Sequence, residues 1–107
     1  MSIEVTRGKK DSIIERIIGA LGLYEIDHPG AVINIYRQNS VSVRVRVIDT
    51  FFRGLNRPER SDLVWKYLEG LTDDDQSEIS TMLLLTPDET ERSFANFEFE
   101  NPVPSKL

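Results

Sequence analysis

The chain has 107 residues, a formal net charge of −5, 39% apolar residues, 29% charged residues and no cysteine. Those proportions are typical of a soluble single-domain protein, and the length leaves no room for a second core. The lack of cysteine excludes disulfides, thiolate metal sites and thiol nucleophiles.

Neither a signal peptide nor a membrane span is predicted. No apolar run follows the lysines near the N-terminus, and the longest apolar run, Met82–Leu85, is too short to cross a bilayer. We therefore expect a cytoplasmic protein without membrane contact.

Positive charge is concentrated in one segment. Residues 37–60 contain six arginines against two acidic residues, Asp49 and Glu59, so this segment carries +4 and the rest of the chain −9. The arginines either pair with carboxylates of the same molecule or attract an anionic partner locally. The whole-molecule charge favours the first interpretation.

The N-terminal third predicts one helix. Residues 1–10 show no clear period and are predicted to be flexible. A helix starts at Asp11 or Ser12, because Ser12 and the glutamate three residues later fit a capping box and apolar residues then recur at helical spacing. Gly22 is predicted to end this helix, and residues 24–30 to form a loop.

The middle of the chain alternates apolar and polar residues with period two, which is typical of strands with one buried face. A first strand is predicted over residues 31–36 and a second from Val41 to about Asp49. The turn residues 38–40 indicate that the two strands form an antiparallel hairpin.

Two further helices are predicted from their caps. Asn56, with Glu59 three residues on, begins a helix that ends near residues 69–70. Thr72 and Asp75 fit another capping box, at the start of a short helix over residues 73–80 whose three consecutive aspartates suit a helix N-terminus.

The last predicted strand, residues 81–85, is apolar on both faces, which indicates a central or covered position. A helical turn follows at Thr86, and residues 91–107 form an acidic tail with phenylalanines and prolines that we expect to be partly ordered. One face of the strand must point away from the helices, and either this tail or a second chain would cover it.

The predicted order is therefore α-β-β-α-α-β. It describes a single α+β domain over residues 11–90, with a three-stranded mixed sheet and helices packed on one face.

Several residues make this order resemble the BolA family, which has a type II KH-like fold. The matching residues are Phe52-x-Gly54 after the strand, an arginine at Arg60, the run Leu63-Val64-x-x-Tyr67-Leu68, and the segment Leu85-Thr86-Pro87-Asp88-Glu89, which is similar to the family's T-P-E-E ending. The resemblance covers roughly residues 11–90 and implies a BolA-like fold.

The chain departs from the family at the iron–sulfur ligands. The family has a histidine just before its final strand and a second ligand in the hairpin loop, which help to hold a two-iron, two-sulfur cluster shared with a monothiol glutaredoxin. Here residues 78–80 contain no histidine, residues 38–40 contain neither histidine nor cysteine, and the family's R-H pair reads Arg60-Ser61. Because such clusters need thiolate or imidazole ligands, we expect no cofactor.

No catalytic or metal site is predicted either. His28 is the only histidine, and its position before Pro-Gly is typical of a solvated turn residue. The aspartates 73–75 lack the spacing of a calcium loop, and no nucleophile–base pair or phosphate-binding glycine loop is present in the sequence. We therefore expect that the chain is not an enzyme.

Two functions remain open. The first is a non-catalytic interaction module whose partner is a protein, including a second copy in a homodimer. The second is weak binding of single-stranded nucleic acid on an arginine-bearing sheet face, although residues 69–72 lack the KH family's GxxG and lead into aspartates. The candidate binding residues are Tyr36, Arg44, Arg46, Arg53, Arg57 and Arg60.

Overall fold

The computed structural model describes residues 3–7, 11–91 and 96. This part of the chain is an α+β fold with a mixed four-stranded sheet and three α-helices. The strands are β1 (Ile3–Arg7), β2 (Val32–Asn39), β3 (Ser42–Ile48) and β4 (Ile79–Leu85), in that spatial order. The helices are α1 (Ser12–Asp27), α2 (Arg57–Leu68) and α3 (Asp73–Glu78), and short 3₁₀ helices at Thr50–Phe52 and Pro87–Glu91 follow β3 and β4.

Strand β1 corrects the predicted element order. It pairs in parallel with β2, so the sheet has four strands rather than three and the chain begins β-α-β. Ile3 and Val5 lie opposite Ile33 and Ile35 and pack against the core. The sequence signal was weak because five residues hold little periodicity, and the partner strand follows only after the whole of α1.

Helix α1 differs from the prediction at both ends. Asp11 is its N-cap and accepts the N–H of Ile14 at 2.9 Å, so the predicted Ser12 capping box is wrong. The helix continues through Gly22 to Asp27 rather than stopping. Tyr24 extends the buried apolar stripe by one more turn, and this packing outweighs the low helix propensity of glycine.

The predicted antiparallel hairpin of β2 and β3 is confirmed, with strands that differ from the predicted bounds by one to three residues. The alternation places one set of side chains in the core beneath the helices: Ile33, Ile35, Val43, Val45 and Val47. The other set lies on what we call the outer face, the sheet face opposite the helices: Asn34, Tyr36, Arg44 and Arg46.

The caps of the later helices are confirmed. Asn56 and Glu59 form a reciprocal capping box at the start of α2. At the start of α3 the Thr72 side chain accepts the N–H of Asp75, but the Asp75 carboxylate binds Arg16 rather than closing the predicted box. Helix α3 ends two residues earlier than predicted, and β4 begins correspondingly earlier.

Strand β4 runs parallel to β3, which completes the predicted mixed sheet. Met82 and Leu84 pack on the core side, so Thr81, Leu83 and Leu85 face outward. The buried core lies between α1, α2 and this single face of the sheet.

The predicted tail, residues 91–107, lies outside the described residues except for Glu91 and Asn96. Within the described part of the chain, no helix combines the length and apolar character needed to cross a bilayer.

Candidate functional site

An open cleft of about 310 Å³ lies where α1 ends, β2 begins and β3 ends. We call it the His28 cleft. It is lined by Asp27, His28, Pro29, Gly30, Asp49, Thr50 and Phe51.

The end of α1 positions His28. This residue caps the helix, and its backbone N–H donates to the carbonyl of Tyr24 at 2.8 Å. Its own carbonyl accepts the N–H of Ala31 at 2.9 Å, which closes a turn through Pro29 and Gly30. Both bonds hold the imidazole at the junction between helix and sheet.

Asp49 forms the polar floor of the cleft. Its carboxylate is buried and accepts hydrogen bonds from the Tyr24 hydroxyl at 2.7 Å and from the backbone N–H of Phe51 at 3.0 Å. The Nδ1 atom of His28 lies 3.5 Å from the same carboxylate. Burial of a carboxylate is tolerated here because several donors surround it.

Aromatic rings enclose the imidazole of His28. It stacks on Tyr24 at a centroid distance of 4.3 Å and meets the edge of Phe51 at 4.7 Å. Tyr67 packs edge-on against Tyr24 and donates its hydroxyl to Asp27 at 2.6 Å. The prediction that His28 is a solvated turn residue is therefore wrong, because its side chain is only 12% exposed.

Both tyrosines act as hydrogen-bond donors at neutral pH. Burial raises the pKa of Tyr24, and its hydrogen bond to Asp49 raises it further. The hydrogen bond to Asp27 raises the pKa of Tyr67. Among the described residues no side-chain hydroxyl is hydrogen-bonded to His28.

The cleft has one exposed apolar side chain on its wall, and two more lie near its lining residues in the sequence. Phe51, on its wall, is 56% exposed, and Ile26, the residue before Asp27, is 73% exposed. Val32, two residues after Gly30, is also exposed. Of these three only Phe51 lines the cleft itself, and Val32 lies on the outer face of the sheet by the alternation of β2.

The sequence contained a signal for this cluster that the prediction did not use. Ile17, Leu21, Tyr24 and His28 follow one another at spacings of four, three and four, which continues one helical stripe. Taking Gly22 as the end of α1 removed Tyr24 from that stripe and separated it from Asp49.

Three of the predicted binding residues meet on the outer face. Arg44 lies over the Tyr36 ring, 6.0 Å from its centroid, and donates to the Tyr36 hydroxyl at 3.2 Å. Arg46 is buried and donates to the side-chain oxygens of Asn34 and Asn96. Tyr36 is fully buried as well, so its ring offers no accessible surface for stacking.

The other three predicted binding residues lie elsewhere. Arg60 donates to Glu89 and to the backbone carbonyls of Leu55 and Leu84. Arg57 is exposed in the first turn of α2.

Arg53 is exposed and lies 3.5 Å from Asp88. The six predicted residues therefore do not form one continuous surface. Within residues 3–7, 11–91 and 96, histidine, aspartate and glutamate form no group of three that could hold a metal ion.

Comparison of the chain with protein-family models, curated proteins and solved structures finds no match.

Proposed function

We propose that the chain is a non-catalytic, BolA-like interaction module that binds a protein partner, including a second copy of itself, and has no iron–sulfur ligation. The observation that carries this proposal is the exposed Phe51 ring on the wall of the His28 cleft, with the exposed Ile26 next to the lining residue Asp27 in the chain.

The BolA-like part of the proposal is supported by contacts between separate motif residues. The Arg60 guanidinium lies 5.6 Å from the centroid of the Phe52 ring and pairs with Glu89 at 2.6 Å. Glu89 also accepts the N–H of Thr86 at 2.9 Å. From α1 onward, the element order is that of the family resemblance, and β1 is an addition to it.

The motif residues have structural roles in these contacts. Phe52 is fully buried in the core, and Gly54 adopts a positive φ of 81° in the turn before α2. The resemblance therefore concerns how the fold is held together, and it gives no evidence for a reaction.

The absence of cluster ligation rests on residue chemistry. The residues before β4 and in the hairpin turn carry carboxylate, amide, hydroxyl and aliphatic groups, which are not the thiolate or imidazole ligands of such clusters. His28 lies at the other end of β2 from the hairpin turn and is enclosed by aromatic rings.

The exposed Phe51 on the wall of the cleft suits a protein partner. Exposed aromatic and aliphatic side chains around a recess are common anchors at protein interfaces. Asp27 and Thr50 are exposed as well and provide a polar rim. Nucleic acid remains the alternative, although the buried Tyr36 and Arg46 leave mainly Arg53 and Arg57 to contact phosphates.

The test is affinity capture from an extract of the native cells, quantified by mass spectrometry. Phe51→Glu and Ile26→Glu should each lose the proteins that the wild type retains. Val41→Glu is the matched control, because Val41 is also 56% exposed and lies at the opposite end of β3. Capture that is the same for all three variants would overturn the proposal.

Fluorescence anisotropy with labelled single-stranded DNA and RNA distinguishes nucleic-acid binding from the proposed binding of a protein. We expect flat titrations at low salt. Binding that weakens steeply as salt rises, and that is lost in the double variant Arg53→Glu with Arg57→Glu, would establish the nucleic-acid function instead.

A further inference from the structure

Strand β4 is the outermost strand of the sheet among the described residues, where it pairs only with β3. Its sequence, ISTMLLL, contains no charged residue and no proline. Strand β1, at the opposite edge, has the sequence IEVTR, which contains one acidic and one basic residue. Exposed edge strands are usually protected by charged residues or proline, so the two edges differ in how well they resist pairing.

The direction of the backbone groups follows from two hydrogen bonds. The Leu85 carbonyl accepts the N–H of Asp49 at 2.9 Å, so the peptide groups of Leu85 point toward β3. Along a strand these directions alternate, so Met82 and Leu84 direct their N–H and C=O groups to the open edge. The Leu84 carbonyl agrees with this direction, because it accepts a hydrogen bond from Arg60 at 3.0 Å.

The regular part of this edge runs from Thr81 to Leu85. The register with β3 shifts between its first two pairs, where Ser80 is the extra residue, and is regular afterwards. Arg60 uses one lone pair of the Leu84 carbonyl, and a carbonyl oxygen has two. At this edge the backbone N–H groups of Met82 and Leu84 are therefore available as donors, and their carbonyl oxygens are available as acceptors.

We infer that this edge binds the same edge of a second copy, antiparallel, about a twofold axis at Leu83. This inference rests on the proposed interaction function and names a second copy as one partner. Met82 of each copy then exchanges both backbone hydrogen bonds with Leu84 of the other, which gives about four bonds across the axis.

The side chains agree with this pairing. Leu83 meets its symmetry equivalent on the outer face, where opposing residues of a non-hydrogen-bonded pair approach most closely. Met82 of each copy meets Leu84 of the other on the core side, so the Leu83 pair and both Met82–Leu84 pairs are apolar. Two chains that each carry −5 repel one another overall. Strand β4 itself has no charged residue, and the charge of Arg60 at the Leu84 carbonyl is balanced by Glu89.

A second copy fits better than an unrelated strand because both edges of the pair are satisfied at once. The twofold arrangement joins two four-stranded sheets and leaves neither copy of β4 exposed. A peptide from another protein and the chain beyond Glu91 are the competing occupants, and the experiment distinguishes them.

The experiment is sedimentation velocity on the full chain over a concentration series. The wild type should shift from the 12.3 kDa chain mass to twice that mass as concentration rises. Leu83→Glu should remain monomeric, because two carboxylates then meet at the axis. Within one copy the introduced carboxylate lies opposite Arg46 of β3, which favours the folded monomer. Leu83→Gln, which has the shape of the glutamate variant without its charge, should still dimerise.

Hydrogen exchange on the wild type gives a readout that does not depend on a variant folding. The Met82 and Leu84 amides should exchange more slowly as concentration rises. Protection that is independent of concentration would show that the chain beyond Glu91 occupies the edge and would overturn the inference. Wild-type protein that is monomeric throughout, or a folded Leu83→Glu dimer, would overturn it as well.

These results are separable from the proposed function. Phe51→Glu and Ile26→Glu lie outside β4 and should dimerise like the wild type. If partner capture succeeds and dimerisation fails, only the edge pairing is wrong. If dimerisation succeeds and capture is unaffected by the cleft variants, the cleft is not the partner surface.

Discussion

At the scale of single residues, most arginines of the positive segment have internal partners. Arg37 pairs with Asp11 and Glu78 at 2.8 Å each, and Arg60 pairs with Glu89. The interpretation that these arginines serve the molecule's own structure accounts for both. A cluster of charge in a sequence therefore says little about a partner until the positions of the carboxylates are known.

Substitution by alanine should change the free energy of unfolding in opposite directions at two glycines. Gly54 has a φ of +81°, so Gly54→Ala should lower the free energy of unfolding by about 1–2 kcal/mol. Gly19 is exposed within α1 and a methyl group there meets nothing within 4 Å, so Gly19→Ala should raise it by about 0.5–1 kcal/mol. Urea denaturation measures both. Equal effects of the two substitutions would contradict the assigned backbone conformations.

At the scale of elements, the sequence predicts a helix or strand best where local chemistry determines it. The capping box at Asn56 and the period-two alternation of the hairpin identified α2, β2 and β3. The sequence does not predict an element where contacts with distant parts of the chain determine it. Strand β1 exists because β2 offers it a parallel edge, and α1 passes Gly22 because Tyr24 finds its partner in Asp49.

The same reason explains the candidate site. His28, Asp49 and Phe51 belong to no shared local motif, and only the meeting of the end of α1 with the end of β3 makes them a cleft. Tyr36 and Arg44 were correctly placed on one face, but their burial depends on what lies over that face, which periodicity does not report.

Arg60 connects three elements, and its removal should be costly. It joins α2 to β4 through Leu84, and to the following 3₁₀ helix through Glu89. Arg60→Ala should lower the free energy of unfolding by about 2–3 kcal/mol, because charge-assisted hydrogen bonds in a partly buried site are lost.

Arg53→Ala is the matched control for Arg60→Ala in chemical denaturation. The Arg53 side chain is 66% exposed and its pairing with Asp88 is long, at 3.5 Å. Its loss should change stability by no more than about 0.5 kcal/mol. Comparable losses in the two variants would show that Arg60 does not have this connecting role.

At the scale of the whole molecule, two ion pairs fasten separate parts of the chain to each other. Arg16 on α1 binds Asp75 on α3, and Arg60 on α2 binds Glu89 after β4. Arg16 lowers the pKa of Asp75 from its ordinary 3.8, and Arg60 lowers the pKa of Glu89 from its ordinary 4.5. Because these pairs hold α1, α2 and α3 in place, protonation of their carboxylates in acid should weaken the packing of all three helices.

The direction of the pH dependence follows from those shifts. Each carboxylate has a lower pKa in the folded than in the unfolded chain, so its contribution is complete above the unfolded value and is lost as pH falls through the folded value. The free energy of unfolding should therefore decline below about pH 4.5 in urea titrations.

Arg16→Gln removes the cause of the shift in the Asp75 pKa, so the free energy of unfolding of this variant should be lower at neutral pH and should decline less steeply in acid. Asp62→Asn, at an exposed position in the interior of α2, should reproduce the wild-type curve. An Arg16→Gln curve parallel to that of the wild type would mean that the α1–α3 pair is not formed in solution.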